Sequence, residues 1–158
     1  MAARVRNEPF MHITRYTDYS LRVLIYLALK GQELCTIREI ADSYDISKNH
    51  LMKVVQELNN KGYLSALRGK NGGLRLAGRP EDINIGRLVR DTEQDFVLVE
   101  CFNRVQNAPG CVIAPVCQLK RVLAEALEAF FAVLDQYTLA DIIPGGRASH
   151  MAQLLRIQ

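Results

Sequence analysis

The sequence predicts a mainly α-helical fold with one small β-hairpin: a winged helix-turn-helix followed by a long helix suited to dimerisation. Three observations lead there. Two amphipathic segments, TIREIADSYDIS and SKNHLMKVVQELNNKG, follow one another with almost nothing between them. A glycine-rich stretch, GKNGG, then separates two short apolar runs. Beyond a further short helix, a wide apolar stripe repeats at helical spacing from Leu119 to Tyr137.

Each element has its own local signal. Residues 1–10 lack apolar periodicity and read as a flexible tail, which leaves 11–80 for the winged helix-turn-helix domain. In TDYSLRVLIYLALKG, Leu21, Leu24, Ile25, Ala28 and Leu29 recur at i, i+3, i+4, and Gly31 is the stop signal. Thr36 and Glu39 have the spacing of a capping box, so a short helix should begin there and run to about Tyr44. After the break at Asp45 and Ile46, Ser47 is placed to cap a second helix. Its apolar stripe is Leu51, Val54, Val55 and Leu58, and Gly62 closes it. YLSALRGKNGGLRLAGRP reads as two strands around a tip that needs positive φ angles. Residues 81–117 hold a helix with Ile85, Leu88 and Val89, then a cysteine-bearing loop. Residues 118–143 form the dimerisation helix, and 144–158, opening with Pro-Gly-Gly, read as a second flexible tail.

Charge is distributed unevenly. The net charge is only +3, yet residues 1–79 hold thirteen Lys and Arg against seven Asp and Glu, whereas residues 80–158 hold seven against ten. From Ser47 to Arg79 there are seven basic residues and one acid, Glu57. A helix-turn-helix carrying charge of one sign points to double-stranded DNA. The second helix of such a motif enters the major groove with its N-terminal residues at the base edges, which nominates Ser47, Lys48, Asn49, His50 and Lys53. Asn49 suits adenine; Lys48 or His50 suits guanine or a phosphate. Arg68, Lys70 and Arg75 surround the hairpin tip, where they would meet phosphate or a narrow minor groove. A major-groove helix of this size commonly acts in pairs, so a homodimer on a two-fold operator is expected.

The N-terminus lacks the apolar stretch of a signal peptide, and no window reaches the roughly 18 uninterrupted apolar residues of a membrane span. A cytoplasmic protein without membrane attachment is expected. In a reducing compartment, cysteines serve as free thiols, catalytic groups or metal ligands rather than disulfides. Three of the four cysteines, Cys101, Cys111 and Cys117, fall in CFNRVQNAPGCVIAPVCQLK, spaced C-x9-C-x5-C. Buried cysteine packs as a small hydrophobe, and the isolated Cys35 reads that way. Structural zinc favours close cysteine pairs and four ligands, whereas an iron–sulfur cluster accepts wider, less regular spacing. Cys117, at the start of the long helix, has the helix dipole to favour a thiolate. There is no C-x-x-C pair and no nucleophile with a base and an orienting group, so an enzyme is not expected.

HITRYTDYSLRVLIYLA, DISKNHLMKVVQELNNKGYL, RGKNGGLRL, the three-cysteine loop and YTLADI together resemble the winged-helix iron–sulfur repressors of bacteria, in particular their nitric-oxide-sensing members. The resemblance spans roughly residues 11–143. It implies a homodimer whose cluster, 4Fe-4S or alternatively 2Fe-2S, is held by Cys101, Cys111 and Cys117 with Asp18 of the other protomer as fourth ligand. It also implies operator binding with the cluster intact and release on nitrosylation. On its own, Asp18 at a helix start reads as a cap or a favourable dipole partner. Cluster-homeostasis members of the family carry a histidine one turn after the third cysteine, where Lys120 stands here. The alternatives are such a homeostasis regulator, or a thiol- or metal-responsive repressor without a cluster.

Overall fold

A computed structural model describes residues 13–99, 111–143 and 145–157. Helix α1 (Arg15–Lys30) is capped by Thr14, whose hydroxyl accepts from the Thr17 amide, and ends at Gly31 in a positive-φ conformation. It is the central element of the core: Val23, Leu24 and Leu27 are fully buried. The expected stripe is rotated on this helix. Leu24 lies in the core, but Leu21, Ile25, Ala28 and Leu29 are only half-buried, while Thr17, Ser20 and Tyr26 are buried. Apolar residues cover most of the circumference of α1, which packs on the second helix of the helix-turn-helix, the hairpin and three helices further along the chain, so periodicity alone could not select its inner face.

Helix α2 (Ile37–Tyr44) has the complete capping box. Glu39 accepts from the Thr36 amide at 2.6 Å, and Thr36 Oγ1 accepts from the Glu39 amide at 3.2 Å. Asp45 closes α2 in the left-handed conformation at φ 52°, reversing the chain within three residues. Helix α3 (Lys48–Asn60) follows, its inner face being the expected Leu51, Val54, Val55 and Leu58. Ser47 occupies the N-cap position, but its side chain makes no capping bond; only its carbonyl is engaged, by the Leu51 amide. Gly62, at φ 79°, turns the chain into β1 (Leu64–Leu67), which pairs antiparallel with β2 (Gly73–Leu76) from Leu64↔Leu76 to Leu67↔Gly73.

At the hairpin tip, Gly69 takes the positive φ that the composition demands. Gly72 is required for a different reason, because a Cβ there would overlap the Leu67 carbonyl oxygen. Cys35 pairs with Leu74 through two backbone hydrogen bonds and is buried; burial pushes its thiol up to about 12, as expected of a packing cysteine.

A 3-10 turn (Pro80–Asp82) leads to α4 (Ile85–Thr92), capped by Asn84. Two expectations about the C-terminal part need correction. The helix predicted over 118–143 is α5 (Leu119–Leu134) and a separate short α6 (Leu139–Ile142). The helix stops at Leu134 because tertiary bonds claim the next residues. Arg90 holds the Asp135 carboxylate at two points, Asn84 Nδ2 donates to the Asp135 carbonyl, and the Ile85 amide donates to the Tyr137 carbonyl. The predicted tail contains α7 (Gly145–Leu154), with Leu155 and Ile157 packed on the core. The expected tail at 1–10 lies outside the described residues.

Candidate nucleic-acid interface and cysteine segment

With Leu51, Val54, Val55 and Leu58 turned into the core, the opposite face of α3 is left to solvent. Ser47, Lys48, Asn49, His50 and Lys53 are all exposed, as are Arg68, Lys70 and Arg75 on the hairpin. Helix and hairpin are fixed to one another, since Asn59 Oδ1 accepts from the Ala66 amide at 3.1 Å and Tyr63 is joined through its hydroxyl to Asp91 of α4. The nominated residues therefore share one rigid unit.

Asn49, His50 and Lys53 also line an open cleft of about 550 Å³, whose other wall is Arg15, Tyr16 and Tyr19 of α1 together with residues 91–94. The Tyr16 hydroxyl is buried beside this cleft. Burial, with the nearby Glu57 charge, raises its pKa, so it stays a neutral donor. Sequence reasoning missed this wall, because a cleft between α1, α3 and the end of α4 leaves no local pattern. Glu93 tightens the same corner by accepting from the Thr14 amide at 2.7 Å and from its hydroxyl at 3.1 Å.

Asp18 is not the cap of α1, a role Thr14 takes, but lies in the first turn. It is half-buried and held by Arg22 through two contacts, Nε to Oδ1 at 3.0 Å and Nη2 to Oδ2 at 2.9 Å. Arg22 in turn lies over the Tyr44 ring at 5.7 Å.

Of the expected cluster ligands, Cys101 lies outside the described residues. Cys111 is exposed, Cys117 half-buried, and both are free thiols. They lie on a run of turns, with the Ala114 amide bonded to the Cys111 carbonyl and the Val116 amide to that of Ile113. Cys117 immediately precedes Gln118, the N-cap of α5, so the amide-rich end of that helix stands next to it. Between the two thiols, Val112, Ile113 and Val116 are exposed, Val112 at 95%. No group of three or more His, Cys, Asp or Glu residues converges among the described residues. An exposed Cys111 and a Cys117 beside a helix N-terminus fit soft thiolate ligation in donor type, in contrast to the buried Cys35.

A helix-turn-helix with an outward polar reading face and a basic hairpin locked beside it define a winged-helix, DNA-binding transcriptional regulator. The model of the Rrf2 family, iron-dependent transcriptional regulators, matches residues 13–145. The chain belongs to that family. It is similar to the HTH-type transcriptional regulator NsrR of Bacillus licheniformis, 58% identical over 146 residues covering 92% of this chain and 99% of that one. The NsrR of Bacillus subtilis is 58% identical over 134 residues, covering 84% and 90%. Among solved structures, CymR, the global cysteine regulator of B. subtilis, superposes with a TM-score of 0.67 at 29% identity, over 84% of this chain and 96% of that one. IscR of T. potens gives 0.66 at 23% identity over 84% and 86%, a likeness of fold. The two NsrR relatives are named as transcriptional regulators, in agreement with the expectation that the chain is not an enzyme. No described helix is long and apolar enough to cross a membrane.

Proposed function

We propose that the protein is a cytoplasmic, nitric-oxide-responsive repressor that acts as a homodimer on a pseudo-palindromic operator. The observation that carries this reading is the contrast between its thiols: Cys35 is sealed in the core, whereas Cys111 is exposed and the half-buried Cys117 adjoins the N-terminus of α5. Cys101, Cys111 and Cys117, with Asp18 of the second protomer, would hold an iron–sulfur cluster, 4Fe-4S in preference to 2Fe-2S. When bound, that group supplies an iron centre reactive toward nitric oxide.

The chain's own residues supply the rest. Leu119, Val122, Ala126, Phe130 and Val133 are all exposed and fall within one narrow strip of α5, the seam a second copy would cover. Asp18 is pre-set on α1 by Arg22, and α1 forms a wall of the cleft shared with the reading helix. A tie between Asp18 and the other protomer thus fixes α1, and with α1 the position of α3; its loss frees the two reading helices from their common spacing. Ser47, Lys48, Asn49, His50 and Lys53 would meet base edges and nearby phosphates in the major groove, and Arg68, Lys70 and Arg75 would meet phosphate beside it.

The test is anaerobic purification with iron and sulfide determination, followed by gel-shift titration of the metal-loaded, metal-free and nitric-oxide-treated protein. Iron and sulfide in comparable amounts are expected, with tight operator binding by the loaded form alone. Equal affinity in all three forms would overturn the proposed sensing role, and zinc or no metal would favour a thiol- or metal-responsive repressor.

A further inference from the structure

The outward face of α3 is polar with one exception. Met52 is 49% exposed, although the four inward positions Leu51, Val54, Val55 and Leu58 already complete the packing of this helix. It does not line the cleft beside α1, so neither the core nor that corner uses it. Asn49, Met52, Lys53 and Gln56 are all exposed and stand at i, i+3, i+4 and i+7, the set of positions through which a helix lying in the major groove can present side chains to successive base pairs.

The other three members of this set are polar or charged and suit donor and acceptor groups. Met52 can offer only a flexible, polarisable apolar surface. In the major groove, the one base feature that calls for such a surface is the C5-methyl group of thymine. From this juxtaposition we propose that Met52 is a specificity-determining residue that packs on a thymine methyl in each operator half-site. The inference rests on the reading of α3 as the groove helix and adds a base identity that the polar positions do not provide.

Removing a methyl group from a buried apolar contact weakens it by roughly fourfold. The experiment uses the full-length protein, purified without oxygen, and a duplex enriched by that protein from a random library. Each thymine in the duplex is replaced in turn by deoxyuridine, which deletes the methyl and keeps the base pair. One thymine per half-site is expected to show a penalty of roughly fourfold with the wild type. Met52→Ala should abolish that penalty while leaving the response at every other thymine as in the wild type, and Met52→Leu should retain it. Because Met52 lies outside the core, both variants should keep the wild-type unfolding midpoint. Undiminished penalties in Met52→Ala, or no deoxyuridine-sensitive position with the wild type, would overturn the role of Met52 while leaving α3 as the reading helix. Enrichment of no sequence at all would overturn both.

Discussion

The Glu93 carboxylate accepts two hydrogen bonds from Thr14, one from its amide and one from its hydroxyl, across 79 residues of sequence. Thr14 is the N-cap of α1, and Glu93 is the residue at which α4 ends. The start of the helix that carries Asp18 is therefore tied to the point where the chain leaves for the cysteine segment. Glu93→Gln retains an acceptor oxygen but loses the charge-assisted bond; Glu93→Ala loses both contacts. The alanine variant should be less stable by about 1 kcal/mol. Its amides around Thr17 and Asp18 should exchange hydrogen faster than those of Leu24 and Leu27, a local pattern that uniform loss of stability would not reproduce.

The junction of α4 and α5 should be intolerant of even one methyl group. A Cβ on Gly86 would overlap Asp135 Oδ1 and lie 3.0 Å from the Asp135 backbone nitrogen. Asp135 cannot move aside freely, because Arg90 grips its carboxylate at 2.6 and 2.9 Å while the guanidinium stacks 4.0 Å from the centre of the Phe131 ring. Gly86→Ala is expected to destabilise the fold by roughly 1–3 kcal/mol, read from the urea midpoint.

Acid should loosen the corner between α5 and α6 first. The Thr138 amide and hydroxyl both donate to Asp141 at 2.7 Å and hold its carboxyl below the usual carboxylate range; Arg90 does the same for Asp135. A depressed folded-state pKa means that this contribution is present above about pH 4 and is lost as pH falls through the folded values. Asp141→Asn should lower stability at neutral pH and change it little at low pH, flattening the acid limb of a stability–pH profile.

Alkali should act through tyrosines with the opposite sign. Burial pushes Tyr44 up to about 12, and burial with the Asp91 hydrogen bond raises Tyr63 further. Both phenols stay protonated in the folded state above the pH where they ionise in the unfolded chain, so stability holds to about pH 10 and falls beyond it. Tyr63→Phe should remove part of that fall, measured by denaturation at stepped alkaline pH.

On the DNA side, Asn49→Ala should lower affinity by about 1–3 kcal/mol for the preferred duplex and relax selectivity at one position. Arg75→Ala should weaken all duplexes alike and reduce the slope of log affinity against log salt by about 0.9 for each protomer that loses a phosphate contact. If Arg75→Ala altered base preference and left the salt slope intact, the wing would be reading sequence instead of phosphate.

The sequence alone determined the helix-turn-helix and the hairpin, because their signals are local. Thr36 and Glu39 satisfy each other within one turn, Gly62 ends α3, and the glycine tip admits the reversal near Gly69. The exposed basic residues were equally legible, since a single apolar stripe on α3 leaves its other face to water. Tertiary structure decided where that logic has two answers or none. The inner face of α1 depends on which neighbours cover a helix that is apolar on several sides. The end of α5 depends on Arg90, Asn84 and Ile85, which lie 45 to 53 residues away from Asp135 and Tyr137 in sequence. The cleft beside α3 and the bond between Glu93 and Thr14 exist only once separate elements meet. The physical reason is range: caps, turns and periodicity act within a few residues, whereas hydrogen bonds between distant elements and the choice of a buried face emerge only when the chain packs.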